Sequence, residues 1–196
     1  MTDHDDIEFE QFEQFEPTKA AGKQKPTLTD AQLRQRIQHR AIWYLSRREY
    51  ARHELKQKLA YAFANTEFTS TAPESATELN LNDLIEAVLE HLAQNNWQSD
   101  ARFADQISKV KGERYGSARV KQTLNQKGLA REIIDEKMIE LAQTEAQRAF
   151  EVWQKKFAQR PTNAAEYAKQ TRFMAYRGFS FDIIKKILKG QVEDFE

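Results

Sequence analysis

The triplet Lys127-Gly128-Leu129 recurs fifty residues later as Arg177-Gly178-Phe179, each time between two helical patterns. In a chain with only six glycines, that recurrence limits the fold to repeated helical corners. A helix that must stop and reverse tightly ends most easily on a left-handed residue, and Gly adopts that conformation without a Cβ penalty. The apolar Leu129 or Phe179 can then pack back on the helix just ended, and Ser180 is placed to cap the next one.

The same offset of fifty carries Phe103 onto Trp153, Ile107 onto Phe157, Leu124 onto Met174, Ile133-Ile134 onto Ile183-Ile184 and Met138 onto Leu188. An earlier copy aligns at two offsets. Leu55 and Leu59 meet Val120 and Leu124 at 65, whereas Leu84, Ile85, Leu89 and Leu92 meet Ile133, Ile134, Met138 and Leu141 at 49. The difference is an insertion between Tyr61 and Asn80, whose Thr, Ser, Ala and Asn mark a surface loop. The spacing therefore predicts an all-α chain of three tandem three-helix units, about 28–96, 97–142 and 143–190, stacked into an elongated, curved array. Its first helix begins near Thr29 or Asp30 and follows Leu33, Ile37, Ala41, Tyr44 and Leu45. No sustained two-residue alternation appears, so no sheet is expected. Trp43, Trp97 and Trp153 read as core, since buried aromatics dominate small helical cores.

Residues 1–27 lack a periodic apolar face and read as a disordered acidic tail. Residues 1–16 hold seven acids and no Lys or Arg. Phe9, Phe12 and Phe15 stand three apart among them, so the segment is either a solubilising tail or a strip that folds onto a basic, aromatic surface. Setting those seven aside leaves 30 basic against 23 acidic residues, although the whole chain has zero net charge. Within 101–131, eight basic residues face only Asp105 and Glu113, which points either to a polyanionic or acidic partner or to a solvated helical surface.

Signs of catalysis are missing from the pattern. His53-Glu54 opens like a zinc-protease helix, but Gln57 stands where the second His is needed. The "GERYG" stretch lacks the Lys-Ser/Thr of a phosphate loop. Glu132, Asp135 and Glu136 read as a solvated face near a helix start. There is no cysteine for disulfides or thiolate sites. The N-terminus lacks the order of a signal peptide, and no apolar run reaches the length of a membrane span. The expectation is a cytoplasmic monomer without catalytic, cofactor or metal residues.

Three segments, "AIWYLSRREYARHELKQKL", "NNWQSDARFADQISKVKGERYGSARVKQTLNQKGL" and "RFMAYRGFSFDIIKKIL", resemble the RecX family of bacterial recombination regulators. The resemblance runs over about residues 33–190. It implies a non-catalytic, all-helical protein that binds the RecA recombinase and lies along its filament on single-stranded DNA, the DNA being reached through the filament. It further implies suppression of ATPase, strand-exchange and co-protease activities, and so modulation of DNA repair and the SOS response. Carried over residue by residue, Arg114, Arg119, Lys121 and Lys127 occupy the basic positions of the central motif, and Arg172 and Arg177 those of the third unit. Two features depart from the family pattern: Ala51, where Ser is frequent, and the long insertion. The acidic Phe-rich head lies outside it. Two rival readings stay open: a direct DNA binder with Arg119, Gln122, Asn125 and Gln126 turned to base edges, and a protein-only helical adaptor.

Overall fold

The computed structural model describes residues 28–69 and 80–191; the expected disordered tail and most of the insertion lie outside them. Among the described residues eight helices follow in order: α1 Asp30–Leu45, α2 Arg52–Phe63, α3 Leu81–Gln94, α4 Asp100–Gly112, α5 Ser117–Gln126, α6 Arg131–Phe157, α7 Ala164–Tyr176 and α8 Phe181–Leu188. Their apolar stripes close three successive cores. The first joins Leu33, Ile37, Leu55, Leu59, Leu84, Ile85, Leu89 and Leu92. The second is built on Phe103, Val120, Leu124, Leu129, Ile134 and Leu141, and the third on Trp153, Met174, Phe179, Ile184 and Leu188. The offsets read from the sequence therefore hold, because paired positions such as Leu124 and Met174 are both fully buried.

Unit ends follow local chemistry. Asn96 closes α3 and Gly190 closes α8, both at positive φ, with Trp97 N–H donating to Leu92 O and Gln191 N–H to Lys186 O. Between Gly128 and Pro161 there is no Gly, Pro or Asn. The third helix of the middle unit consequently finds no stop signal and continues as the first helix of the last unit, the 27-residue α6. The expected boundary at 142/143 falls inside that helix, so eight helices serve three units. α6 ends at Ala158, held at φ 57. Ala158→Gly is therefore expected to stabilise the chain by about 0.5–1 kcal/mol, because Gly removes the Cβ penalty of that conformation. A raised denaturation midpoint at unchanged slope checks it.

Two expectations need correction. A two-residue parallel pair does form, with Leu28 and Thr29 of β1 alongside Phe68 and Thr69 of β2. Such a short ladder leaves no periodic signature; it ties the start of α1 to the chain leaving α2. Of the tryptophans, only Trp153 is deep core, donating to Gln170 Oε1 at 2.7 Å. Trp43 is half-buried, and Trp97 is 51% exposed because it follows the Asn96 cap rather than lying on a helix stripe.

Candidate partner-binding surface

The six expected contact residues are fixed by how consecutive units meet. Gly128 and Gly178 are both left-handed, at φ 74 and 85, as the corner pattern predicts. Each corner lands on the start of the preceding unit's second helix. A Cβ on Gly128 would lie 2.9 Å from the His53 side chain of α2, and one on Gly178 would lie 2.9 Å from Arg119 of α5.

The landing sites are built for close approach. α2 and α5 start on Ala51 and Gly116, residues without a capping side chain. Their first amides are instead satisfied by an acid from the next unit. Arg52 N–H donates to Asp100 Oδ1 at 2.7 Å, and Ser117 N–H to Glu145 Oε1 at 3.0 Å. An arginine beside each acid completes the clasp. Arg102 reaches Glu49 and the Trp97 carbonyl. Arg148 donates to the carbonyls of Gly112, Tyr115 and Leu141. Burial lowers the pKa of Arg148 against the opposing pull of Glu145.

Lys127 belongs to the first of these joints. Its Nζ lies 3.1 Å from Glu54 Oε1, which also takes Arg48 Nη2 at 2.8 Å. Burial pushes the Glu54 carboxyl up, but these two cations more than offset it and hold it below 4.5. With the folded value depressed, this stabilisation is complete above the unfolded value of 4.5 and is lost as pH falls through the folded one. Glu54→Gln is expected to cost on the order of 1–3 kcal/mol at neutral pH and to flatten the stability loss on acidification. Denaturant titrations at neutral pH and below 4.5 check both.

Lys121 is exposed and lies 3.8 Å from Asp135. The remaining four sites lie on the segments that meet at the second joint, where Arg119 and Arg177 make the contacts. Arg119 Nη1 donates to Tyr176 O at 3.1 Å, and its guanidinium stands 4.8 Å from the Tyr115 ring and 4.9 Å from that of Tyr176. Arg177 Nη1 donates to Arg114 O at 3.2 Å and stands over Tyr115 and Phe173. Arg172, exposed, precedes Tyr176 by one turn of α7. Tyr176 is 69% exposed. Arg119 and Arg177 thus form one arginine–tyrosine ledge with Tyr115 and Tyr176; the exposed Arg114 and Arg172 flank it in sequence, and among the described residues none of the four is in an ion pair. The Arg119 and Arg177 guanidiniums are packed on aromatic faces and bonded to carbonyls, with no carboxylate partner among the described residues.

Beside the Val120–Leu124 stripe, helix position alone would leave Arg119 in solvent, but the next unit's corner covers it and leaves it half-buried. On α5 the exposed polar residues are Lys121, Gln122, Asn125 and Gln126. Other cations are structural. Lys137 is buried between Asp105 at 2.6 Å and Glu140 at 2.8 Å, and these two carboxylates push its pKa up to about 12. Sequence reasoning passed over Gly116, Glu145 and Arg148; their one signal is that Gly116 falls 65 residues after another small residue, Ala51. No helix among the described residues is long and apolar enough to cross a membrane.

Two family models match parts of the chain: "RecX, second three-helix domain" over residues 99–138 and "RecX, third three-helix domain" over residues 143–188. A regulatory protein RecX of Chromobacterium violaceum is 40% identical over 158 residues, 81% of this chain and 92% of that protein. One from Ralstonia pickettii is 38% identical, covering 82% and 91%. The crystal structure of RecX from Lactobacillus salivarius has a TM-score of 0.63 at 18% identity, over 82% of this chain and 97% of that one. At that identity the likeness speaks for the fold alone.

Proposed function

The chain belongs to the RecX family of regulatory proteins, and from that premise we propose that it is a non-catalytic, monomeric, cytoplasmic regulator that binds a RecA-type recombinase on single-stranded DNA and suppresses its ATPase, strand-exchange and co-protease activities. DNA repair and the SOS response are the processes it would modulate. The observation that supports this most is the ledge of Arg119 and Arg177 on Tyr115 and Tyr176 at the second joint, flanked in sequence by the exposed Arg114 and Arg172. It presents positive charge and aromatic faces without a shape selective for base edges, which suits a phosphate backbone or an acidic protein surface. Its position between units lets a repeat array follow a repeating filament. Suppression then requires only that the regulator favour one filament state over another, since a ligand shifts an equilibrium by its differential affinity.

The test is recovery of partners from native cell extract on the immobilised full chain, with and without added single-stranded DNA. Recombinase as the main recovered protein, increased by the DNA, is expected. Recovery of DNA alone with a preference among duplex sequences favours direct base reading. Partners independent of both recombinase and DNA favour an adaptor.

A further inference from the structure

A second basic and aromatic surface lies far from the ledge in sequence. It is a shallow groove of about 450 Å³ on the first unit, lined by Arg36, His39, Arg40 and Trp43 of α1 and Phe63 of α2. The Trp43 ring has the guanidinium of Arg47 at 4.0 Å and that of Arg40 at 5.6 Å. Arg34, Arg36 and Arg40 are exposed and in no ion pair among the described residues. α1 itself carries these three arginines against the single acid Asp30. A helix face with that charge and a half-buried Trp calls for an anionic, aromatic occupant.

We propose that the occupant is the chain's own residues 7–16, docked in cis along the outer face of α1. Three observations converge on that segment. Its acids Glu8, Glu10, Glu13 and Glu16, with no Lys or Arg among residues 1–16, complement the arginines. Phe9, Phe12 and Phe15 lie three apart, so on a helix they fall within one face of roughly 120° and can meet Trp43 and Phe63. The tether is also the right length. Residues 17–27 join the segment to Leu28, directly before α1. A flexible linker of eleven residues would span roughly 18 Å on average. Residues 36–43 lie roughly 10–20 Å along α1 from its start at 1.5 Å per residue. A linker whose mean length matches the span gives nearly maximal effective concentration. Docked, the segment would lay carboxylates and aromatic rings where a single strand would lay phosphates and bases, and so would exclude polyanions from this end of the molecule. This does not depend on which partner the ledge binds.

Because the chain has no cysteine, Gln14→Cys carries a spin label at one known place in the full-length protein. At low salt, the amide signals of residues 34–43 and Phe63 are expected to lose most of their intensity while α7 and α8 keep theirs. The loss should disappear at 0.5 M salt, and at low salt in an Arg36→Glu/Arg40→Glu chain whose other amide signals are unchanged. Phe9→Ala/Phe12→Ala/Phe15→Ala should also abolish it, which separates aromatic docking from charge attraction alone. Uniform or absent signal loss, loss centred on residues 172–177 instead, or loss that survives the arginine reversal would overturn the proposal. So would loss of the same size when labelled unenriched chains are mixed with unlabelled isotope-enriched ones, because the contact would then lie between two copies.

Discussion

Gly116→Val is expected to destabilise the protein more than valine at any other glycine described, by about 3 kcal/mol or more. Its φ of −73 is ordinary, so the cost does not come from backbone strain. It comes from the joint. An added Cβ would stand 2.2 Å from Gly178 O, 2.3 Å from Gly178 C and 2.4 Å from Phe179 N. All three are backbone atoms of the facing corner and cannot rotate away. The approach is held from the same side by Gly116 N–H donating to Arg177 O at 2.9 Å. Even alanine therefore forces the corner off α5, and the third core detaches from the clasp made by Glu145 and Arg148. Gly128→Val and Gly178→Val should cost on the order of 1–3 kcal/mol each, from positive φ and from contacts at 2.9 Å. Gly112→Ala is the control: its added methyl meets Leu141 Cδ2 at 3.4 Å and Arg148 Nη1 at 3.5 Å, close to ordinary contact. Urea titration followed by helicity measures the series. A Gly116→Val midpoint equal to wild type, or less shifted than that of Gly128→Val, would show that the units do not meet this closely.

That ranking marks the limit of what the residues convey unaided. Gly128 and Gly178 were legible because a left-handed stop has a local signature, and the apolar offsets were legible because each unit repeats one stripe. Gly116 was not. In the sequence it is the last letter of "GERYG", and its importance is created by a corner 62 residues away, at Gly178. Arg119 fails to read for the same reason. Its helix position places it beside the stripe, but whether that flank meets water depends on where the next unit lands. The continuity of α6 was present as a missing stop signal, yet the regularity of the repeat argues for a break there. The β1–β2 pair had no signal, since two residues carry no period. Local rules thus gave the units, while the surface left over for a partner is a property of the joints.

The functional prediction must accordingly use cations that the joints leave alone. Arg114 and Arg172 are exposed; Arg172 donates only back along its own helix, to Ala168 O at 3.4 Å. Arg119, by contrast, holds Tyr176 O and lies under Gly178. Reversing Arg119 would weaken the second joint and any partner contact together, so a loss of function there would not separate the two. Arg114→Glu/Arg172→Glu is expected to leave helicity and the denaturation midpoint within about 0.5 kcal/mol of wild type, as for other exposed positions. The concentration needed to suppress single-stranded-DNA-dependent ATP hydrolysis by the cognate recombinase should rise on the order of tenfold or more, since two attractive contacts become repulsive. The effect should shrink as salt is raised, because exposed charges are screened over roughly 10 Å at 0.1 M. Lys121→Glu provides the internal comparison. It stands on the same α5 as Arg119 but turns toward Asp135 of α6, away from the ledge. If the ledge is the contact surface, Lys121→Glu leaves the inhibition curve nearly unmoved while the double reversal shifts it. Equal shifts would point to a diffuse electrostatic attraction spread over the basic body. A shift for Lys121→Glu alone would move the contact to the opposite flank of α5, where Asn125 is exposed one turn on.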